Sequence, residues 1–175
     1  MTEVLPAVLE APPGQPAVGQ IGRILLATDL GDVSAAAERT AIELAARFRA
    51  SLVILSVIDP ARLRLPNGPF FARVDQVRAR REIAAGALVD RARAAGVRTS
   101  FLIWQGEPGE SILEVAEAEQ VDAIVLGSHG RGRIGRFLLG SVSARVTHAA
   151  RWPVFIARDD EVHRHDPADG DPSGK

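Results

Sequence analysis

Between Gly127 and Ser141 the chain reads GSHGRGRIGRFLLGS, five glycines and three arginines in fifteen positions. Side chains of these types suit anions. Glycine lets backbone N–H groups approach a ligand with no Cβ in the way, and arginine presents a planar fork of donors that fits phosphate oxygens. Several chemistries are compatible with the letters. Gly130, Gly132 and Gly135 spell the GxGxxG of a dinucleotide fingerprint. Arginine mixed with glycine is also the composition of disordered segments that bind nucleic acid. Alternatively, Gly127 and Gly130 turn the chain off a strand, and Gly140-Ser141 opens a helix whose free N–H groups, dipole and hydroxyls, from Ser141 and Ser143, receive the phosphates of a mononucleotide. Arg131, Arg133 or Arg136 would then compensate charge. A loop that binds nothing, its arginines solvated, is the bland alternative.

Composition narrows the field. A chain of 175 residues, 46% hydrophobic, can bury a full core, and one domain is expected. A net charge of −1 gives no long-range attraction to nucleic acid or acidic lipid, so neither is expected as a partner. The absence of cysteine excludes thiol catalysis, disulfides and thiolate metal sites and fits a reducing compartment. No apolar run approaches the roughly 18 residues of a membrane span, and the start of the chain, with acids and prolines, does not read as a signal peptide. A cytoplasmic location is expected. Lys175 is the only lysine, so the lysine of a Walker-type phosphate loop is missing and that class of nucleotide site is excluded.

The elements that must position the glycine stretch follow from periodicity. RILLATD (23–29) is a strand ending in a polar corner, and Ala37, Ala41, Leu44, Ala45 and Phe48 mark a helix face after it. SLVILSVID (51–59) is a continuous apolar run, as expected of a central parallel strand covered on both faces. Residues 60–71 read as a loop. Val77, Ala84, Leu88, Ala92 and Ala95 then mark a second helix, stopped by Gly96. VRTSFLIWQ (97–105) is a third strand, Ile112, Val115 and Ala116 lie on one face of a short helix, and VDAIVLG (121–127) is a fourth strand. After the glycine stretch come a helix with Val142, Val146 and Ala149, and a last strand, PVFIAR (153–158). Five strands alternating with four helices predict a single α/β domain, a doubly wound five-stranded parallel sheet with helices on both faces, over residues 22–158. Residues 1–21 and 159–175, rich in Pro, Gly and polar side chains, read as flexible tails.

In such a sheet ligands bind beyond the carboxyl ends of the strands, where strand order reverses. The corner Ala27-Thr28-Asp29 and the glycine stretch can converge there. The dinucleotide fingerprint fits this frame poorly: the stretch follows the fourth strand rather than the first, no second nucleotide-binding half follows, and Gly140 would weaken the fingerprint helix by about 1 kcal/mol. The disordered reading fails because a strand and an amphipathic helix fix both ends of the loop.

Gly127-x2-Gly130-x9-Gly140-Ser141 resembles the ATP-binding pattern of the universal stress protein family, GxxGx9G[ST], at every specified position. RILLATD, LSVID, IVLGSHGRG and RWPVFIAR are similar to that family's first, second, fourth and closing strands, so the likeness covers residues 22–158. The resemblance implies strand order 3-2-1-4-5 and a nucleotide across strands one and four. Carried over by position, Ala27, Thr28, Asp29 and Val57 would line the adenine and ribose side, with Leu126 and Gly127 underneath. Gly130, Gly140, Ser141, Val142 and Ser143 would hold the phosphates, with His129 and Arg131 beside them. The implied ligand is ATP, or AMP or ADP, with Mg2+. Ala27 departs from the pattern, standing where some ATP-binding members have proline. A homodimer through residues 153–158 is implied as well, and that short apolar edge strand suits pairing.

Asp29 is expected to hydrogen-bond the nucleotide, with capping of the next turn and catalysis as alternatives. His163 and His165 are expected to be solvent-exposed, and Trp104 and Trp152 to make core or dimer contacts. No residue is convincingly placed to direct a water at a phosphate. The expected function is thus a nucleotide-dependent regulatory module of the stress response with at most slow hydrolysis. The alternatives are a true ATPase or autophosphorylating enzyme, with Ser141 or Ser143 as acceptor, and a dimeric scaffold that binds no nucleotide.

Overall fold

The apolar runs form five strands: β1 (Arg23–Ala27), β2 (Ser51–Ile58), β3 (Thr99–Gln105), β4 (Ala123–Gly127) and β5 (Val154–Ala157). In the computed structural model, which describes residues 21–63, 70–128 and 139–158, every strand pair is parallel and the order is β3-β2-β1-β4-β5. The helices are α1 (Ala35–Phe48), α2 (Pro60–Leu63), α3 (Phe70–Ala94), α4 (Pro108–Ala118) and α5 (Ser141–Ala149). A 3-10 turn over Asp32–Ser34 leads into α1. This is the doubly wound parallel sheet with helices on both faces, strand order included.

Alternating residues along the strands feed two cores. On one face Ile24, Leu26, Leu52, Ile54 and Val125 pack against the alanines of α1 and against Leu88, Val89 and Ala92 of α3. On the other, Leu25, Val53, Leu55 and Ile124 pack against Ile112, Val115 and Ala116 of α4 and Val146 of α5. Because both faces are covered, β2 is buried from Leu52 to Ser56, which explains its unbroken apolar run. The Asp122 carboxylate accepts from the Gly22 and Arg23 amides, both at 2.8 Å, and fixes the start of β1 beside β4.

Local signals set the helix ends. Gly96, at φ +77°, ends the α3 segment in the left-handed conformation that favours glycine. Glu107 caps α4, its side chain accepting from the Glu110 amide at 2.8 Å, with Pro108 at the first helical position.

Three expectations are corrected. Residues 60–71 are not all loop, since Pro60–Leu63 form α2 and α3 already begins at Phe70. The cause at the first end is local: the Asp59 carboxylate accepts from the Ala61 amide at 2.9 Å, and Pro60 is preset for a first helical turn. Phe48 shares the helical spacing of Ala41 and Ala45 but is 46% exposed, because it lies in the last turn of α1, where Arg49 at φ +56° swings the chain back toward β2. Trp104 is not a core residue. It stands on edge strand β3 and is 44% exposed. Trp152 does pack against the second core, with the Arg151 guanidinium 4.7 Å from its ring centre. The strands run slightly shorter than their apolar runs, starting at Thr99, Ala123 and Val154 rather than at 97, 121 and 153.

Packing yields a paired prediction within α3. Leu88 is fully buried, and Leu88→Ala is expected to cost about 3 kcal/mol. Gly86 lies in the middle of the same helix, and a Cβ there would meet nothing within 4 Å. Gly86→Ala is expected to stabilise the domain by about 0.5–1 kcal/mol. Urea unfolding of the two variants checks both signs.

Candidate functional site

β1 lies at the centre of the sheet, with β2 on one side and β4 on the other. The chain leaves β1 into α1 on one face and leaves β4 toward α5 on the opposite face. The crevice between these departures is the switch point, and the largest cavity among the described residues opens there, with a volume of about 600 Å³. It is lined by Ala27, Thr28 and Asp29 after β1, by Leu55, Val57, Ile58 and Asp59 from the end of β2, by Leu126 and Gly127 of β4, and by Val142 and Ser143 of α5. Leu63 of α2, Val77 and Ala84 of α3, and Pro108 and Ile112 of α4 close it with apolar surface. Arg62, Arg80 and Arg81 add cations.

The sequence-predicted residues thus converge to a large extent. Ala27, Thr28, Asp29, Val57, Leu126, Gly127, Val142 and Ser143 share one cavity. Gly140 and Ser141 stand at the mouth of α5, Gly140 as its N-cap residue and Ser141 as its first residue. His129, Gly130 and Arg131, with Arg133 and Arg136, lie outside the described residues, as do His163 and His165.

Two bonds hold α5 to the end of β4. The Ser143 hydroxyl donates to the Gly127 carbonyl at 2.7 Å, and the Gly140 amide donates to the Ser128 carbonyl at 2.9 Å. The first helical bond runs from the Ala144 amide to the Gly140 carbonyl at 2.8 Å, so the amides of Ser141, Val142 and Ser143 precede the intrahelical ladder, as at any helix start. One element of the sequence reading changes here. The Ser143 hydroxyl hydrogen is committed to Gly127 and serves the joint between strand and helix, which leaves its oxygen lone pairs and the exposed Ser141 hydroxyl on the crevice side of the chemistry.

The corner after β1 is held by a denser network. The Thr28 hydroxyl accepts from the Leu30 amide at 2.9 Å and donates to Glu38 Oε1 at 3.3 Å, while the Thr28 carbonyl accepts from the buried Ser56 hydroxyl at 2.8 Å. Asp29 Oδ1 accepts from the Gly31 amide at 3.0 Å and from the Ser34 hydroxyl at 2.7 Å. Asp29 therefore caps the turn that starts α1, the alternative role raised above. Leu30, between these anchors, has φ +57°, a left-handed conformation that costs a leucine about 1 kcal/mol and that the flanking bonds impose.

Periodicity and motif spacing did not show Glu38. Only 6% exposed on α1, it bonds Thr28 with one oxygen and Arg91 Nη2 of α3 with the other, at 2.5 Å. Nor did they show Arg81, half-buried on α3, whose Nη1 donates to the Val57 carbonyl at 2.6 Å. Both arginines sit in a helix whose sequence reads as a solvated charged face, and their partners are 53 and 24 positions away. Among the described residues no cluster of three or more His, Asp or Glu side chains forms a metal site. No described helix is long and apolar enough to cross a membrane.

The Thr28 hydroxyl is the hinge of the corner, and two substitutions test it. Thr28→Val keeps the shape but strands the Leu30 amide and one Glu38 oxygen, and is expected to cost about 1–3 kcal/mol by chemical denaturation. Thr28→Ser, which keeps the hydroxyl, is expected to recover most of that loss.

Similarity to known proteins agrees with this geometry. The model of the universal stress protein family matches residues 20–158. A universal stress protein of Thermus aquaticus is 35% identical over 136 residues, 77% of this chain and 97% of that protein. One from Methanocaldococcus jannaschii is 31% identical over 138 residues, 78% and 81% of the two chains. Among solved structures, the universal stress protein UspA of Lactobacillus plantarum superposes with a TM-score of 0.65 at 26% identity, covering 79% of this chain and 99% of that one. A universal stress protein crystallised in complex with cAMP superposes with a TM-score of 0.60 at 26% identity, covering 79% and 98%. With its sheet order, its switch-point crevice and a family match spanning nearly all the described residues, the chain belongs to the universal stress protein family.

Proposed function

We propose that this protein is a nucleotide-binding regulatory module of the stress response, which holds ATP, or ADP or AMP, with Mg2+ in the switch-point crevice. The observation that carries the reading is the convergence of the start of α5 with the Gly127 end of β4 and the Thr28-Asp29 corner around one 600 Å³ cavity. The structure of a family member in complex with cAMP supports it. In this reading Ala27, Thr28, Asp29, Val57 and Leu126 face the base and ribose. The phosphates lie against Gly127, Gly140, Ser141, Val142 and Ser143, where unpaired amides and the helix dipole favour negative charge. His129, Gly130 and Arg131 complete the cradle on sequence grounds, as does Mg2+ between phosphate oxygens.

Hydrolysis is at most slow in this proposal, because none of the described side chains around the start of α5 is a general base poised for a water: Ser143 is engaged with Gly127, and Asp29 Oδ1 with Gly31 and Ser34. The protein acts through its bound state, in the cytoplasm, as a homodimer joined along residues 153–158. Support for the dimer is the position of β5, at an edge of the sheet with one side unpaired. Sedimentation velocity is expected to give a dimer.

The nucleotide reading is tested by calorimetric titration of Mg2+-ATP into the wild-type protein and two variants. Gly140→Val places a branched side chain at the cradle and is expected to weaken binding at least tenfold. Ser141→Asp is more diagnostic. A carboxylate at the first helical position favours the helix by about 0.3–1 kcal/mol, so the melting temperature is expected to hold or rise. It also puts negative charge where the phosphates are proposed to lie, and affinity is expected to fall at least tenfold. Undiminished binding to Ser141→Asp would place the phosphates elsewhere, and turnover above about one per minute would favour the enzyme alternative.

A further inference from the structure

The crevice has a second positive end. Arg81 is tied by its bond to the Val57 carbonyl to the carboxyl end of β2. Arg80, next to it on α3, lines the same cavity and has no hydrogen-bond or ion-pair partner among the described residues. Arg62 also lines the cavity, but Asp59, 3.2 Å away, neutralises it. β2 and β4 flank β1, so the ends of β2 and β4 stand two strand spacings apart, about 10 Å. The start of α5 makes one end positive, Arg80 and Arg81 make the other positive, and the Asp29 carboxylate lies between them.

A ligand with phosphate at one end only leaves the other pair of charges unanswered. A ribose carries its 5′ and 3′ oxygens on different sides of the ring. A nucleotide phosphorylated at both therefore presents an anion in each direction, with a hydroxyl and the base between. Arginine suits this task, since its fork of donors matches phosphate oxygens in pairs.

We propose that the crevice selects ribonucleotides bearing a second phosphate on the 3′ oxygen, bound by Arg80 with Arg81 beside it, the 5′ phosphate lying at the start of α5. The inference rests on the nucleotide reading above and adds the ligand class. The exposed Arg80 can be changed without disturbing the core.

The test is calorimetric titration of AMP, ADP and adenosine 3′,5′-bisphosphate into the wild-type protein, Arg80→Ser and Arg78→Ser, at one fixed salt concentration. ADP carries its added phosphate on the 5′ side and controls for ligand charge. Arg78 is on α3 outside the cavity and controls for protein charge. The bisphosphate is expected to bind at least tenfold more tightly than AMP to the wild type and to Arg78→Ser. In Arg80→Ser most of that gain should vanish, with AMP and ADP changed less than twofold. Equal wild-type affinities for AMP and the bisphosphate, or a gain that survives in Arg80→Ser, would overturn the inference while leaving the nucleotide site standing. Failure of all three nucleotides to bind the folded wild type would overturn the nucleotide reading and this inference together.

Discussion

A parallel sheet wound outward in both directions from a central strand cannot close over its own middle. The chain leaves β1 for one face and β4 for the other, and between these departures no helix can lie directly over the strand ends. The two layers enforce this: the alanines of α1 sit in one core and Val146 of α5 in the other. The crevice is thus a topological product, present whatever fills it. What makes it chemically particular is the bond from the Ser143 hydroxyl to the Gly127 carbonyl, which sets the start of α5 on the end of β4. Without that joint, the helix start would have no fixed relation to the corner after β1.

The corner itself depends on buried polar groups that satisfy one another. Glu38 is a nearly buried carboxylate, and its two oxygens are taken by a threonine on one side and an arginine on the other. No buried side-chain nitrogen or oxygen among the described residues lacks a partner. Networks of this sort add little net stability, since desolvation offsets much of their attraction, but they penalise every other arrangement of the corner. The left-handed Leu30 is tolerable for that reason: its backbone is fixed by Thr28 just before it and by the turn that Asp29 caps.

The strands were legible because both faces of this sheet are covered, so burial writes itself into continuous apolar runs. The cavity residues Ala27, Thr28, Asp29, Leu126 and Gly127 were legible because they directly follow or end such runs, and the family resemblance named Val57. The short helix at Pro60 had a readable signal, Asp59-Pro60, which the apparent loop chemistry of the following residues obscured. The contacts of Glu38, Arg81 and Arg91 were not legible by any periodic rule. Their partners lie on other elements, and a charged residue on a helix is written the same way whether it faces water or a buried carboxylate. Phe48 misled for the opposite reason, since helical spacing identifies a face but not where along the axis the sheet stops covering it.

α3 is one helix of 25 residues, about 37 Å long. It touches the crevice corner twice, through Arg81 on the end of β2 and through Arg91 on Glu38 and so on Thr28. Between these two arginines the outward side carries Ile83, 78% exposed. The helix is therefore a lever with two points of attachment to the cavity and a grip facing the solvent. If filling the crevice shifts either attachment, α3 moves as a unit, and a protein that grasps its outer side meets a different surface. Thermodynamic linkage runs both ways: whatever factor an occupant applies to that second affinity, the second partner returns to the occupant.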